Sequence, residues 1–145
     1  MITYADTGFL CSLYSHDALS QKASAAMTRI EGQPAFLWIH QLEFRNALRL
    51  RVFRKEITPA QRDASLNLLL ADLAAGVLVH ADVPHNSLMV EAERLSASHS
   101  DRLGTRSLDI LHVAAALVLG VKEFHTFDKR QAKLAKAAGL KVKGL

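Results

Sequence analysis

The stretch Leu108–Val142, LDILHVAAALVLGVKEFHTFDKRQAKLAKAAGLKV, reads as helix, strand, helix, strand. Between Ser107 and Leu119 nearly every residue is apolar (Ile110, Leu111, Val113, Ala114, Ala115, Ala116, Leu117, Val118), which predicts a helix buried almost all round. Gly120 follows where a left-handed residue ends a helix. Glu123-Phe124-His125-Thr126-Phe127 is then a short strand, and Asp128 opens the next helix. Asp109 stands in the first turn of the apolar helix, with Ser107 as its expected N-cap. Two acids thus fall at helix beginnings, the places a parallel sheet gathers along one edge.

Outward from this stretch the same alternation continues. Ile2–Ala5 is a β-prone run that ends at Asp6-Thr7, and a first helix is expected over Gly8–Tyr14. Asp17 is expected to cap a helix reaching Ile30, before Gly32-Gln33-Pro34 breaks the chain. Ala35–Ile39 is a continuous apolar run, as in strands covered on both faces. A helix over Gln41–Phe53 would carry Glu43 in its first turn. Thr58 as N-cap and Pro59 at the first helical position start another helix, to about Ala75, with Gly76 closing it. Val77–His80 is a third strand, Pro84 to about Ser98 a helix, and His99–Arg106 a polar loop. With no repeat or linker, the pattern predicts one α/β domain over residues 1–145: a mainly parallel sheet with helices on both faces.

The bulk composition narrows the class. Apolar residues make up 50% and charged residues 22% of 145, ordinary for a globular chain and unlike a disordered one. No apolar run approaches the roughly 20 residues of a membrane span. No basic flank precedes the apolar start, so no signal peptide is expected. Cys11 is alone, which suits a reducing compartment, and a cytoplasmic protein is expected. Lys and Arg outnumber Asp and Glu by 18 to 14, a balance compatible with a polyanionic partner.

Four acids occupy one kind of place. Asp6 follows the first strand, Glu43 and Asp109 lie near helix starts, and Asp128 follows the fourth strand. Each alone has a plain structural account, because an acid at a helix N-terminus is stabilised by about 0.3–1 kcal/mol. Asp128 with Gln131 even matches a capping box. The set is harder to dismiss. Asp6, Glu43 and Asp109 are embedded in apolar sequence, and buried acids need a partner or a metal. A hard divalent cation, Mg²⁺ or Mn²⁺, would resolve their mutual repulsion.

ADTGFL at Ala5–Leu10, LEFRNAL at Leu42–Leu48, LDILHVAAAL at Leu108–Leu117 and TFDKRQAKLAKAAGL at Thr126–Leu140 together make the chain resemble the PIN-domain nucleases, and among them the VapC-type toxins of bacterial toxin–antitoxin pairs. The resemblance covers the whole chain. It implies a three-layer α/β/α sandwich, an acidic pocket holding one or two Mg²⁺ or Mn²⁺ ions, and hydrolysis of RNA phosphodiester bonds. The family's acids fall on Asp6, Glu43, Asp109 and Asp128, and its polar helpers on Thr7 and Thr126. Those threonines would orient waters or carboxylates. A small antitoxin partner and a homodimer are implied as well. Within the same class, a housekeeping RNA-processing nuclease is the alternative.

Other candidates are weaker. Seven histidines are scattered without a zinc motif. His112, one turn after Asp109 on the same face, could touch pocket or substrate or be a satisfied core residue. Arg45 and Arg49, with Arg51, Arg54 and Lys55, form a one-sided basic face that could grip phosphates or simply be solvated. Lys129, Arg130, Lys133 and Lys136 look like a solvated face. A signalling receiver domain would use an acid after the third strand, here Asp82, but also an acidic pair near the first, where only Asp6 stands. A non-catalytic RNA- or protein-binding module is the remaining alternative.

Overall fold

The computed structural model describes residues 1–145. Its five short strands are β1 (Ile2–Ala5), β2 (Gln33–Phe36), β3 (Val79–His80), β4 (Glu123–His125) and β5 (Lys141–Lys143). All neighbours pair in parallel, in the order β3-β2-β1-β4-β5. The helices are α1 (Thr7–Tyr14), α2 (Ser20–Met27), α3 (Trp38–Phe53), α4 (Pro59–Ala74), α5 (His85–Leu103), α6 (Ser107–Val118) and α7 (Lys129–Ala137). From β1 the chain winds to one side through β2 and β3, then crosses back to lay β4 and β5 on the other. β1 and β4 therefore flank the switch point, where open parallel sheets bind ligands beyond their strand ends.

Strand alternation divides the core into two layers. Tyr4, Ala35 and Phe124 face α5, α6 and α7 and meet Leu88, Leu95, Val113 and Leu134. Ala5 and Phe36 face α1 to α4 and meet Phe9, Leu10, Phe44, Leu48 and Leu69. The result is the three-layer α/β/α sandwich expected from the alternation. Val113, Ala114, Ala115 and Ala116 are fully buried in α6, as the apolar run predicts, although Leu108 at its start is exposed. Gly120 ends α6 at φ 71°. Gly144, at φ 111°, has no room for a side chain: a Cβ would stand 2.4 Å from the Thr126 carbonyl oxygen. That close approach presses the end of β5 against the loop that carries Thr126. No helix is long and apolar enough to cross a membrane.

Several boundaries differ from expectation, each for a local reason. The apolar run Ala35–Ile39 is not all strand, because α3 begins at Trp38. The Leu37 N–H donates to His40 Nδ1 at 3.0 Å, while His40 Nε2–H donates to the Ala5 carbonyl at 2.7 Å. Burial pushes the His40 pKa down to about 3, so this neutral ring can accept at one nitrogen and donate at the other. That cap overrides the β-propensity of the run. Glu43 is consequently in the second turn of α3, not the first, and no acid occupies the first turn. Asp17 does not head a helix to Ile30. It binds Leu19 N, Ser12 and Arg51, and α2 covers only Ser20–Met27 with Leu19 as N-cap. The polar loop shrinks to residues 104–106, because α5 runs on to Leu103 and stops at Gly104 with φ 62°. Arg106, rather than Ser107, is the N-cap of α6. Thr58 and Gln61 form a reciprocal cap around Pro59, as expected of that start.

Candidate active site

A pocket of about 410 Å³ opens beyond the ends of β1 and β4. Asp6, Thr7, Glu43, Asp109, His112 and Asp128 all line it, together with Arg106, Ser12, Gly8, Leu19 and Phe127. Four of the six residues expected to be catalytic by carboxylate chemistry or support are the acids, and the fold brings all four to this one place.

Each acid is held by a different device. Asp6 leaves β1 and caps α1, with Oδ1 accepting from the Phe9 N–H at 2.9 Å. Its other oxygen accepts from the Thr126 hydroxyl. Thr126 is wholly buried and also accepts from the Asp128 N–H at 2.9 Å, so one side chain ties two acids together. It does not line the pocket and acts by orienting Asp6. Asp128 is exposed and caps α7, with Oδ1 accepting from the N–H groups of Arg130 and Gln131 at 2.8 and 3.1 Å. The expected reciprocal bond is absent, because the Asp128 N–H goes to Thr126 and not to Gln131 Oε1, while Gln131 Nε2 donates to the Asp109 carbonyl at 3.3 Å and joins α6 to α7. Asp109 pairs with Arg106 at 3.3 Å.

Glu43 Oε1 accepts from Thr7 Oγ1 at 2.9 Å and from His112 Nε2. The opposite nitrogen, Nδ1, lies 2.7 Å from the Tyr4 hydroxyl. An ionised carboxylate only accepts, so Nε2 carries the hydrogen toward Glu43 and Nδ1 accepts from Tyr4. Burial, with the Asp6 and Glu43 charges adding to it, raises the Tyr4 pKa and keeps that phenol a donor. A buried relay therefore runs from Tyr4 through His112 to Glu43. His112 is at once a fully partnered core residue and a wall of the pocket.

These surroundings push two acids in opposite directions. Burial raises the Asp6 carboxyl above its ordinary range; the bonds from Thr126 and Phe9 only moderate the rise, and the Asp128 charge adds to it. Burial also acts to raise Glu43, but the bonds from His112 and Thr7, with the positive charge His112 carries whenever its ring is protonated, outweigh it and leave the carboxyl lowered.

Capping accounts for Asp6 and Asp128 in part, yet Glu43 is past the first turn and caps nothing. Glu43 Oε2, Asp109 Oδ1 and Asp128 Oδ2 have no protein donor. All-oxygen donors of this kind suit Mg²⁺ or Mn²⁺. As the side chains stand, no three of them form a ready metal cluster. The acids share a pocket without converging on one point.

Sequence reasoning missed two contributors. Arg106 places a cation beside the acids; its position three residues before Asp109 was the available signal, but only once the helix start is known. Tyr4 gave no signal, since its partner lies 108 residues away. Arg45 is half-buried and Arg49 exposed, and neither lines the pocket. Asp82 follows β3 at the sheet edge, outside the pocket, whereas a receiver sheet runs 2-1-3-4-5 with its third strand beside the first. The receiver alternative fails on topology.

The parallel α/β/α sandwich is PIN-like in fold. Two solved structures share it over nearly their whole length. One is VapBC2 from Rickettsia felis, solved bound to a DNA fragment from their promoter: TM-score 0.67 and 14% identity, covering 99% of this chain and 98% of that one. The other is FitAcB from Neisseria gonorrhoeae: TM-score 0.61 and 16% identity, covering 98% and 96%. At these identities the likeness is one of fold. No protein-family model matches the chain, and no curated protein sequence matches it.

Proposed function

We propose that this protein is a metal-dependent endoribonuclease and the toxin of a toxin–antitoxin pair. The observation that carries the nuclease half is the pocket at the β1–β4 switch point, lined by four carboxylates and one arginine. The toxin half is supported by the fold shared with VapBC2 and FitAcB, the first solved on DNA from their own promoter. A small antitoxin, a homodimer and a cytoplasmic setting belong to the same reading.

Asp6, Glu43, Asp109 and Asp128 would hold one or two Mg²⁺ or Mn²⁺ ions. When bound, such ions lower the pKa of water and stabilise charge on phosphoryl oxygens. The chain's own residues do the rest. Thr126 fixes the Asp6 carboxylate against β4. His112 and Thr7 hold one Glu43 oxygen and leave the other to the pocket. Arg106, well exposed, is placed to move from Asp109 to a phosphate oxygen.

The direct test is cleavage of single-stranded RNA by protein freed of any antitoxin. Activity is expected with Mg²⁺ or Mn²⁺ and none in EDTA. Cleavage that survives exhaustive chelation, or no cleavage of any RNA with either metal, sinks the nuclease reading. An adjacent short reading frame encoding a DNA-binding protein is the expected genomic mark of the toxin half.

Arg45 and Arg49 lie outside the pocket and belong to this proposal as phosphate contacts. Replacing both with Ala is expected to reduce the slope of log affinity against log salt by about 1.4, at 0.7 per contact on a single strand. An unchanged slope removes that helix face from the substrate path.

A further inference from the structure

A second cavity, of about 980 Å³, lies between α2 and the outer face of β4 and β5. Phe127 lines both this groove and the acidic pocket, so the two adjoin at one residue. Their charges are opposite. The pocket sets four acids against Arg106, whereas the groove sets Lys22, Arg29, Lys122 and Lys143 against Glu31 and Glu123.

His125 distinguishes the groove from an ordinary basic surface. It lines the cavity at only 4% exposure, and neither ring nitrogen has a partner. Glu123 Oε2 is 3.8 Å from Nε2, beyond hydrogen-bond reach. His125 and Lys143 are register partners in the β4–β5 ladder, so both side chains face the same side of the sheet. A buried imidazole without partners is unusual, since buried polar groups are nearly always satisfied. Beside it, Phe127 stacks on Phe9 with centroids 5.2 Å apart, and Lys22 Nζ stands 5.8 Å from the Phe127 ring. An apolar aromatic floor, a cation and an unsatisfied donor–acceptor pair therefore meet at one end of the groove, next to the acids.

We propose that this groove is a nucleotide subsite, holding the RNA strand that flanks the bond cut in the acidic pocket. Lys22, Arg29 and Lys143 take phosphates and Phe127 meets a base. The His125 ring, its nitrogens closed to solvent in the free chain, reaches a base edge by turning toward the groove as the strand seats. The proposal rests on the ribonuclease reading and supplies what that pocket lacks. Four carboxylates repel a polyanion, and a strand reaches them only if cations hold its neighbouring phosphates. An acidic peptide would also meet the cations, but adjacency to the pocket at Phe127 favours the strand that must enter it. Aromatic faces beside cations are the common means of holding single strands.

The test follows anisotropy of a short fluorescent single-stranded RNA on the full-length chain, in EDTA so that nothing is cut, across a salt series. Lys22→Ala with Lys143→Ala is expected to weaken binding and to lower the salt slope by about 1.4, for two lost contacts. His125→Phe keeps an aromatic ring but removes both nitrogens, and is expected to weaken binding several-fold with the slope unchanged. Melting curves confirm that both variants are folded. If neither variant alters RNA affinity while wild-type protein still cleaves RNA with Mg²⁺, the subsite is wrong and the nuclease reading stands. If wild-type protein neither binds nor cleaves RNA, both fail. Variants that lose an acidic peptide but keep RNA affinity make the groove a protein-docking site and overturn the proposal.

Discussion

Asp6→Asn is expected to cut Mg²⁺-dependent RNA cleavage by about a thousandfold, while raising the melting temperature of the metal-free protein at neutral pH. Loss of a ligand that places a metal ion forfeits several kcal/mol of transition-state stabilisation, and each 1.36 kcal/mol is tenfold in rate. The stability gain has a separate origin. Burial raises the Asp6 carboxyl above its ordinary value of 3.8 in the folded chain. Below that value both states are protonated, and Asp6 costs nothing. As pH rises through 3.8 the unfolded chain ionises first, so stability falls until the folded carboxyl has ionised too. Above that window the penalty is constant, and Asn, which never ionises, escapes it. The melting difference should therefore be full at pH 7 and vanish below about pH 3.8. His40, which also titrates on unfolding, is common to both proteins and cancels in the difference. Mn²⁺ should raise the wild-type melting temperature and leave the variant nearly unmoved, because only a protein that binds a ligand is stabilised by it. An ordinary helix cap forecasts otherwise, since Asn caps about as well as Asp. Equal melting temperatures at pH 7 with full cleavage would reduce Asp6 to a cap. Asp109 is a poorer choice for this experiment, because Arg106 already sits against its charge.

What could be foreseen from the chain followed the range of the forces involved. The stretch from Ser107 to Lys143 was legible because its signals are local: an apolar run, a glycine stop, an acid ahead of a helix. The start of α3 was not, because the run through Trp38 and Ile39 is as β-prone as any strand here. A buried imidazole three residues on, bonded back to Leu37 and across to Ala5, decides the matter. The four acids could be named as a set and the resemblance pointed to Thr7 and Thr126 as helpers, yet which residue holds which acid could not be read. Thr126 reaches Asp6 over 120 residues, and His112 reaches Glu43 over 69. Strand order lay out of reach for the same reason, since it depends on which crossover passes behind which strand. Glu43 was placed at a helix start and found one turn further on. There it escapes the capping account, although it still lines the pocket.

His112→Ala is expected to destabilise the fold by about 3 kcal/mol and to depress cleavage even at temperatures where the variant is folded. The ring is buried and touches Tyr4, Thr7 and Glu43. Removing it leaves the Tyr4 hydroxyl without an acceptor, a loss of about 1–3 kcal/mol for a buried group. It also opens a void beside Val113 and takes away the donor that holds Glu43. For a chain of this size the total corresponds to a fall of about 10 °C in melting temperature. Tyr4→Phe is the milder counterpart. The ring still stacks on Phe124 at 5.3 Å, so the cost is about 1 kcal/mol for the lost bond, and Nδ1 is left without its donor. His112→Gln offers an amide N–H to Glu43 and should recover part of both stability and rate. The relay makes a specific demand on kinetics: with Glu43 loosened, kcat should fall more than KM rises, because the substrate still meets the same cations. A His112→Ala protein that loses stability but keeps wild-type kcat would make the relay a piece of core and nothing more. One that keeps both would mean Glu43 is held without it.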